Sequence, residues 1–389
     1  MTSALQVSTW DTPCGIGNYT AGLRQGLADV GIDSEIATIN RHELSMLSKP
    51  EVADAIRSLV DRAGDHDIVH IQHEFSFFGG SYGTAASIRN FADLVKHART
   101  KAPVVTTFHT HPFVRRWRGP SLPHIALNNA LALQWRRQVV PLFNGGKATA
   151  VVPSRGLRRT LADSGLHLDR VEHIAQGAPP MRPTGAGRDA ARATLGYRDE
   201  DRVLMLFGFI TRYKGHLTAL DALTNLPSNY KLAIVGGPHP FAGDDLFYEE
   251  VLDALVSRSG LAKRVRVTGF VPDAEVQAYF DAADMCVLPY AEALATSAAA
   301  MWALASGRPV IGTRIPAFRE IDQEEDCMQL VDVAAPLQLA AAVLEVAREP
   351  ERAKLMVANA AAFCERHAWP RIAQQHVALY QRLLAQRRP

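Results

Sequence analysis

Short apolar runs that end in glycine-rich turns, each followed by a helix-like pattern, constrain this chain more than any other feature. The turns are Cys14-Gly15-Ile16-Gly17-Asn18, Phe78-Gly79-Gly80, Gly208-Phe209 running on to Lys214-Gly215, and Thr296-Ser297 ahead of Gly307-Arg308-Pro309-Val310. Residues 5–8, 67–71, 103–108 and 149–152 read as strands in the first half, and residues 203–207, 231–235, 265–268, 285–288 and 310–313 in the second. Their continuous apolar character predicts burial on both faces, and the strand–helix alternation predicts α/β domains with parallel sheets. A helix is expected after Gly17, where Tyr19, Leu23, Leu27 and Val30 recur at helical spacing. Such turns aim backbone N–H groups and a positive helix end at whatever binds beyond the strand ends, which suits an anion.

At 389 residues the chain holds two or three domains. The Pro- and Gly-rich stretch 177–187 reads as a linker, giving a first domain over 1–180 and a second over 181–368. With two such sheets facing each other, the site is expected in the interdomain cleft. Cys14, Cys286, Cys327 and Cys364 are scattered without CxxC spacing, which argues against a disulfide framework or a zinc site. The start lacks a basic and apolar leader, and no apolar stretch has the length to span a bilayer, so a cytoplasmic protein is expected.

Residues 101–150 carry seven Lys or Arg, no Asp or Glu, and Trp117 and Trp135. They read as a solvated basic face. They equally suit a phosphorylated acceptor or the anionic inner face of a membrane, where each basic side chain contributes ~1 kcal/mol. No nucleic-acid module accompanies them, so nucleic acid is not an expected partner.

The turns differ in chemistry. Gly15 and Gly17 let backbone approach a ligand, though a tight strand-to-helix turn needs them equally. Gln72, His73 and Glu74 leave an apolar strand in a row, as binding groups or as a knot that holds the loop. His109 and His111 also follow a strand; without a carboxylate or cysteine at ligand spacing they suit hydrogen bonding to a sugar or phosphate better than a metal. Arg212 and Lys214 share a turn after Gly208, where two cations suit a diphosphate. Thr296 and Ser297 cap a small-residue helix and offer the same hydroxyls and N–H groups to phosphate.

In this order the motifs resemble the GT-B-fold retaining glycosyltransferases of family four, over essentially the whole chain. The resemblance rests on residues 14–19, His70-Ile71-Gln72-His73-Glu74-Phe75 with Phe78-Gly79-Gly80, Phe108-His109-Thr110, Val152-Pro153-Ser154 and Phe207-Gly208-Phe209 with Lys214-Gly215. Gly269-Phe270-Val271, residues 283–290 and residues 305–311 complete it. It implies two facing Rossmann-like domains, with a terminal helix over 369–389 that returns to the first. It implies transfer of a sugar, with retention, from a nucleotide-diphosphate sugar to a hydroxyl acceptor in polysaccharide, glycolipid or secondary-metabolite assembly. It implies no metal and no cofactor beyond the nucleotide-sugar.

By position in the motifs, His109 and Lys214 are implied catalytic residues, with Arg212 and Glu292 as nearby substitutes for the family's arginine and first glutamate. Gly15, Gly17, Gly208, Val271, Thr296, Ser297, Ala298 and Trp302 are implied on the donor, and Gln72, His73, Glu74, Arg115 and Arg116 on the acceptor side. The chain departs from the pattern at Leu294 and Trp302, where the family carries glutamates. Phe209 stands for an arginine, with Arg212 as its substitute, and Gln176 stands where a histidine often precedes Gly177. The alternative these departures raise is a catalytically degenerate GT-B protein acting as a binding or regulatory partner.

Overall fold

The computed structural model describes residues 2–10, 14–110, 122–181, 187–238, 245–258, 260–292 and 297–387. Among them the apolar runs become two parallel six-stranded sheets. The first holds β1 (Ser3–Ser8), β2 (Asp33–Thr38), β3 (Ile68–His73), β4 (Val104–Phe108), β5 (Thr149–Val152) and β6 (Val171–His173), in the order β2-β1-β3-β4-β5-β6. The second holds β7 (Arg202–Phe207), β8 (Tyr230–Val235), β9 (Val265–Val267), β10 (Met285–Leu288), β11 (Val310–Thr313) and β12 (Met328–Val331), in the order β12-β11-β10-β7-β8-β9.

Position in the sheet explains the residue content of each strand. The inner strands β3, β4, β10 and β11 are buried along their whole length, because helices cover both faces. β2, β6 and β12 lie at sheet edges and mix polar with apolar residues (DSEIAT, VEH, MQLV). These three edge strands carry no continuous apolar run and are not among the strands expected from sequence.

The chain divides into two compact units, Met1–Gly177 with Trp369–Pro389, and Ala178–Ala368. In the first, the helix Gly15–Asp29 buries Tyr19, Leu23 and Leu27 against Ile372, Ala373 and Tyr380 of the terminal helix Trp369–Arg387. The Trp369 indole fixes that contact. It lies where a Cβ on Gly22 or Gly177 would stand, so both positions need a residue without one. Arg382 closes the far end on Glu172 at 2.6 Å.

In the second unit the sheet carries a core on each face. On one, Ala300, Met301, Ala303 and Leu304 of the helix Ala298–Ala305 pack with Phe280, Phe318 and Phe363. Its small side chains let this helix lie close on the strands. On the other, Leu220, Leu223, Phe247 and Val343 cover the sheet. Asp284, just before β10, accepts from Arg188 at 2.8 Å, Arg192 at 2.7 Å and the Val203 amide at 2.7 Å, which ties the helix Arg188–Leu195 to the start of β7.

Each sheet reverses its strand order once, between β1 and β3 in the first unit and between β7 and β10 in the second. The loops leaving these strand ends diverge, and ligands of open α/β sheets bind there. No helix among the described residues is long and apolar enough to cross a membrane.

Candidate functional site

In the second unit, the turn after β7 and the helix after β10 converge at the switch point. β7 runs into Gly208, whose φ of +99° belongs to the region that favours glycine. A Cβ there would run into Lys214 Nζ and touch Ala299 Cβ at 3.4 Å, so Lys214 and the first turn of the helix Ala298–Ala305 meet over this residue. Lys214 closes the short helical turn Arg212–Lys214. The Ala291 amide donates to the Tyr213 carbonyl at 2.7 Å and binds that turn to the loop after β10.

Lys214 is buried, and among the described residues its ammonium meets no carboxylate. Burial pulls its pKa down from the ordinary lysine range to about 7. A buried cation without a counter-charge is costly in the empty protein. An anion bound at this place would reverse that cost.

Beside it, Ser297 caps the helix, accepting from the Ala300 amide at 3.4 Å, and its hydroxyl also bonds Tyr290 Oη at 3.2 Å. The cap leaves the other first-turn amides pointing out of the helix end, next to Lys214 and Gly208. Helix end and ammonium together make a place for phosphate oxygens.

The other residues implied in this unit are placed differently. Arg212 pairs with Glu250 at 2.8 Å and lies over the Phe247 ring at 4.6 Å, so its guanidinium is engaged by the helix Asp245–Ser257. Val271 is half-buried against the core. Trp302 is half-buried too, with ring centroids 6.1 Å from Phe207 and 6.3 Å from Phe280. Glu292 is half-buried in the loop after β10. Thr296 and Leu294 lie outside the described residues, as do Arg115 and Arg116.

In the first unit the polar groups bind one another. The parallel register of β3 on β4 sets Gln72 opposite Thr107 and His73 opposite Phe108. It brings His109, one residue beyond β4, alongside β3. The His109 amide donates to the His73 carbonyl at 3.0 Å, and His109 Nε2 lies 2.8 Å from Gln72 Oε1. The Tyr19 ring packs edge-on against the His109 imidazole at 4.7 Å. Burial holds His109 neutral, with its pKa down to about 3.

His73 points the other way, among the rings of Phe75, Phe78, Phe91 and Phe108. Trp135 from the basic segment is buried beside the same cluster. Glu74 is half-buried and accepts from the amide of Ser76 at 2.7 Å and from its hydroxyl. Gly15 and Gly17 occupy the first turn of the helix Gly15–Asp29, which has no acidic residue there. A Cβ on Gly15 would meet nothing within 4 Å.

Beneath His109 runs a buried network whose partners on the terminal helix, His376 and Tyr380, lie outside the motifs. His70 Nδ1 bonds Tyr380 Oη at 2.6 Å and His70 Nε2 bonds Thr107 Oγ1 at 2.7 Å; Tyr19 Oη lies 3.4 Å from His376 Nε2. Burial pushes His376 down to about 3, and it pushes His70 well below the imidazole range, with His376 and His109 adding to the effect. The sequence signal for His376 and Tyr380 is their spacing of four on one face of the terminal helix. Among the described residues no group of three or more His, Cys, Asp or Glu is placed to hold a metal ion.

Residues 201–349 match the family profile described as glycosyl transferases group 1. A D-inositol 3-phosphate glycosyltransferase of Streptomyces griseus is 30% identical over 234 residues, which cover 58% of this chain and 48% of that protein. One from Thermobispora bispora is 26% identical over 94% of this chain and 89% of its own length. The chain thus spans about half the length of the first of these curated relatives. HepE of Anabaena, crystallised with UDP-glucose, superposes with a TM-score of 0.73 at 17% identity, over 98% of this chain and all of that one. That likeness gives the fold.

Proposed function

We propose a glycosyltransferase that takes its sugar from a nucleotide-diphosphate sugar, on the match of residues 201–349 to glycosyl transferases group 1 and the likeness of the fold to HepE. One observation carries this reading. Lys214, buried without a carboxylate partner among the described residues, crowds Gly208 and the first turn of the helix Ala298–Ala305. A diphosphate supplies the missing charge, and stabilising that charge is the largest expected catalytic contribution.

In the proposed reaction the anomeric C–O bond to the diphosphate breaks while an acceptor hydroxyl oxygen bonds to the same face of that carbon. The hydroxyl proton passes to the departing phosphate oxygen. Lys214 and the amides at Ser297 and Ala298 take up the charge that develops there. His109, Gly15 and Gly17 serve the sugar and phosphate, and Glu74, Arg115 and Arg116 the acceptor side, while Gln72, expected there, is wholly buried and faces His109. This scheme retains configuration and asks for no metal. The chain is read as cytoplasmic, and a peripheral contact with anionic lipid rests only on the acid-free segment 101–150.

A second reading has its own observation. Trp302, packed near Phe207 and Phe280, places an apolar ring beside the phosphate turn. A donor site weakened there would leave a GT-B binding or regulatory protein.

Thermal denaturation across UDP, GDP, ADP, dTDP and their sugars tests the proposal. A ligand at 100 times its dissociation constant adds about 2.7 kcal/mol. One nucleotide series should raise the melting temperature of the wild type and leave Lys214→Ala unmoved. No shift across the panel supports the non-catalytic reading.

A further inference from the structure

Gln72 is wholly buried in β3, and its side chain has one hydrogen bond among the described residues, the 2.8 Å contact of Oε1 with His109 Nε2. Its Nε2 has no partner among them. A glutamine buried with half its amide unsatisfied is expensive, so the half that is satisfied has a task. With the amide oxygen placed toward His109, the ring nitrogen facing it carries the proton, since an amide oxygen only accepts. The opposite ring nitrogen, Nδ1, then holds a lone pair, and no described residue bonds it.

We infer that Gln72 is a positioning residue that holds His109 in the Nε2–H tautomer and so presents Nδ1 as an acceptor for a substrate hydroxyl. The Tyr19 ring edge at 4.7 Å and the backbone bond from His109 to His73 at 3.0 Å fix the ring plane. Gln72 fixes the remaining choice, which nitrogen is the donor. Arginine or lysine could not replace it, since neither accepts a hydrogen bond. Glutamate would accept, but its charge against Nε2–H would favour the imidazolium, which donates from both nitrogens and has no lone pair to offer. A neutral amide is the group that fixes the tautomer without adding a charge.

The inference rests on the proposed role of His109 toward the sugar, and the test separates the two. Long-range 1H–15N correlation of histidine-labelled full-length protein reads the tautomer with no nucleotide present, and His109→Asn assigns the signal. The Nε2–H form is expected in the wild type at neutral pH. In Gln72→Met both forms are expected, and in Gln72→Glu the His109 signal should titrate at a higher pH. Wild-type His109 in the Nδ1–H form overturns the inference whatever the variants do. So does an unchanged signal in a folded Gln72→Met.

UDP-glucose is the probe for the second readout, as breakdown to UDP. Gln72→Met should lower kcat about tenfold, the worth of one hydrogen bond, with KM changed by less than about twofold. Gln72→Glu should keep activity on the alkaline side and lose it toward acid, where the imidazolium forms. A flat profile in Gln72→Glu overturns the link to catalysis. Failure of every nucleotide-sugar of the thermal panel to bind the wild type counts against the transferase reading, while the spectrum still decides the tautomer.

Discussion

The strand ends of the two units handle polarity in opposite ways. In the first, His109 bonds Gln72, His70 bonds Thr107 and Tyr380, and Tyr19 meets His376, so buried polar groups satisfy one another. In the second, the Lys214 ammonium is buried against Gly208 with no carboxylate beside it among the described residues. A network bonded largely within the chain, with Gln72 Nε2 and His376 Nδ1 left over among the described residues, makes a rigid wall. A lone buried cation beside a helix end is a half-made site, stable only as far as the rest of the fold carries its cost.

Acid should break the comparison most strongly. His73, His109 and His376 have folded-state pKa values near 3, and His70 lies well below the imidazole range; in the second unit the described counterpart is His216, also near 3. Because these values are lowered on folding, the unfolded chain binds more protons between about 3 and 6.5, and stability falls as pH drops through that window. Each group costs about 1.4 kcal/mol per pH unit. The first unit should therefore lose hydrogen-exchange protection well before the second as pH is lowered to about 4.5. Equal loss in both units would show that the histidine network does not set acid stability.

Lys214→Met comes next. It should weaken nucleotide-sugar binding on the order of 100-fold, the worth of a charge-assisted contact, yet raise the melting temperature of the empty protein by removing an unpaired buried charge. A variant that binds poorly because it is less stable would dissolve the contrast between wall and site.

Gly177→Ala acts on the first unit alone. The added Cβ would stand inside the Trp369 indole, and the strain should cost about 1–3 kcal/mol, read by denaturant unfolding. Donor affinity should stay within about twofold of wild type if the nucleotide is held by the second unit. Smallest is Ser297→Ala, which removes the cap on the Ala300 amide and the partner of Tyr290; a loss of about 1 kcal/mol is expected.

Much of this contrast is legible in the sequence, unevenly. The inner strands are readable because burial on both faces leaves continuous apolar runs such as Leu204-Met205-Leu206-Phe207. β2, β6 and β12 are not, because an edge strand tolerates the polar residues that blur its pattern. The meeting of Gly208, Lys214 and the helix at Ser297 can be read because they sit at strand and helix ends, where local geometry already suggests chemistry. The Gln72–His109 pair cannot, since the register of β3 on β4 creates it across 37 positions. The contact of His70 with Tyr380 spans 310. Arg212 is read from its turn as a phosphate ligand, and what the sequence does not show is its contact with Glu250 and Phe247. His73 belongs to an aromatic cluster assembled from four elements, which no local pattern announces.

Proton uptake on donor binding tests the central claim most directly. Free Lys214 titrates near 7, so at about pH 8 it is mostly neutral, and a diphosphate diester should draw a proton onto it. Calorimetric titration of UDP-glucose, or of the nucleotide-sugar chosen by the thermal screen, in two buffers of different ionisation enthalpy counts that proton. Uptake of about one proton by the wild type, and of none by Lys214→Met, is the predicted result. Tight binding with no proton uptake, or with the same uptake in both proteins, would contradict Lys214 as the anchor of the diphosphate.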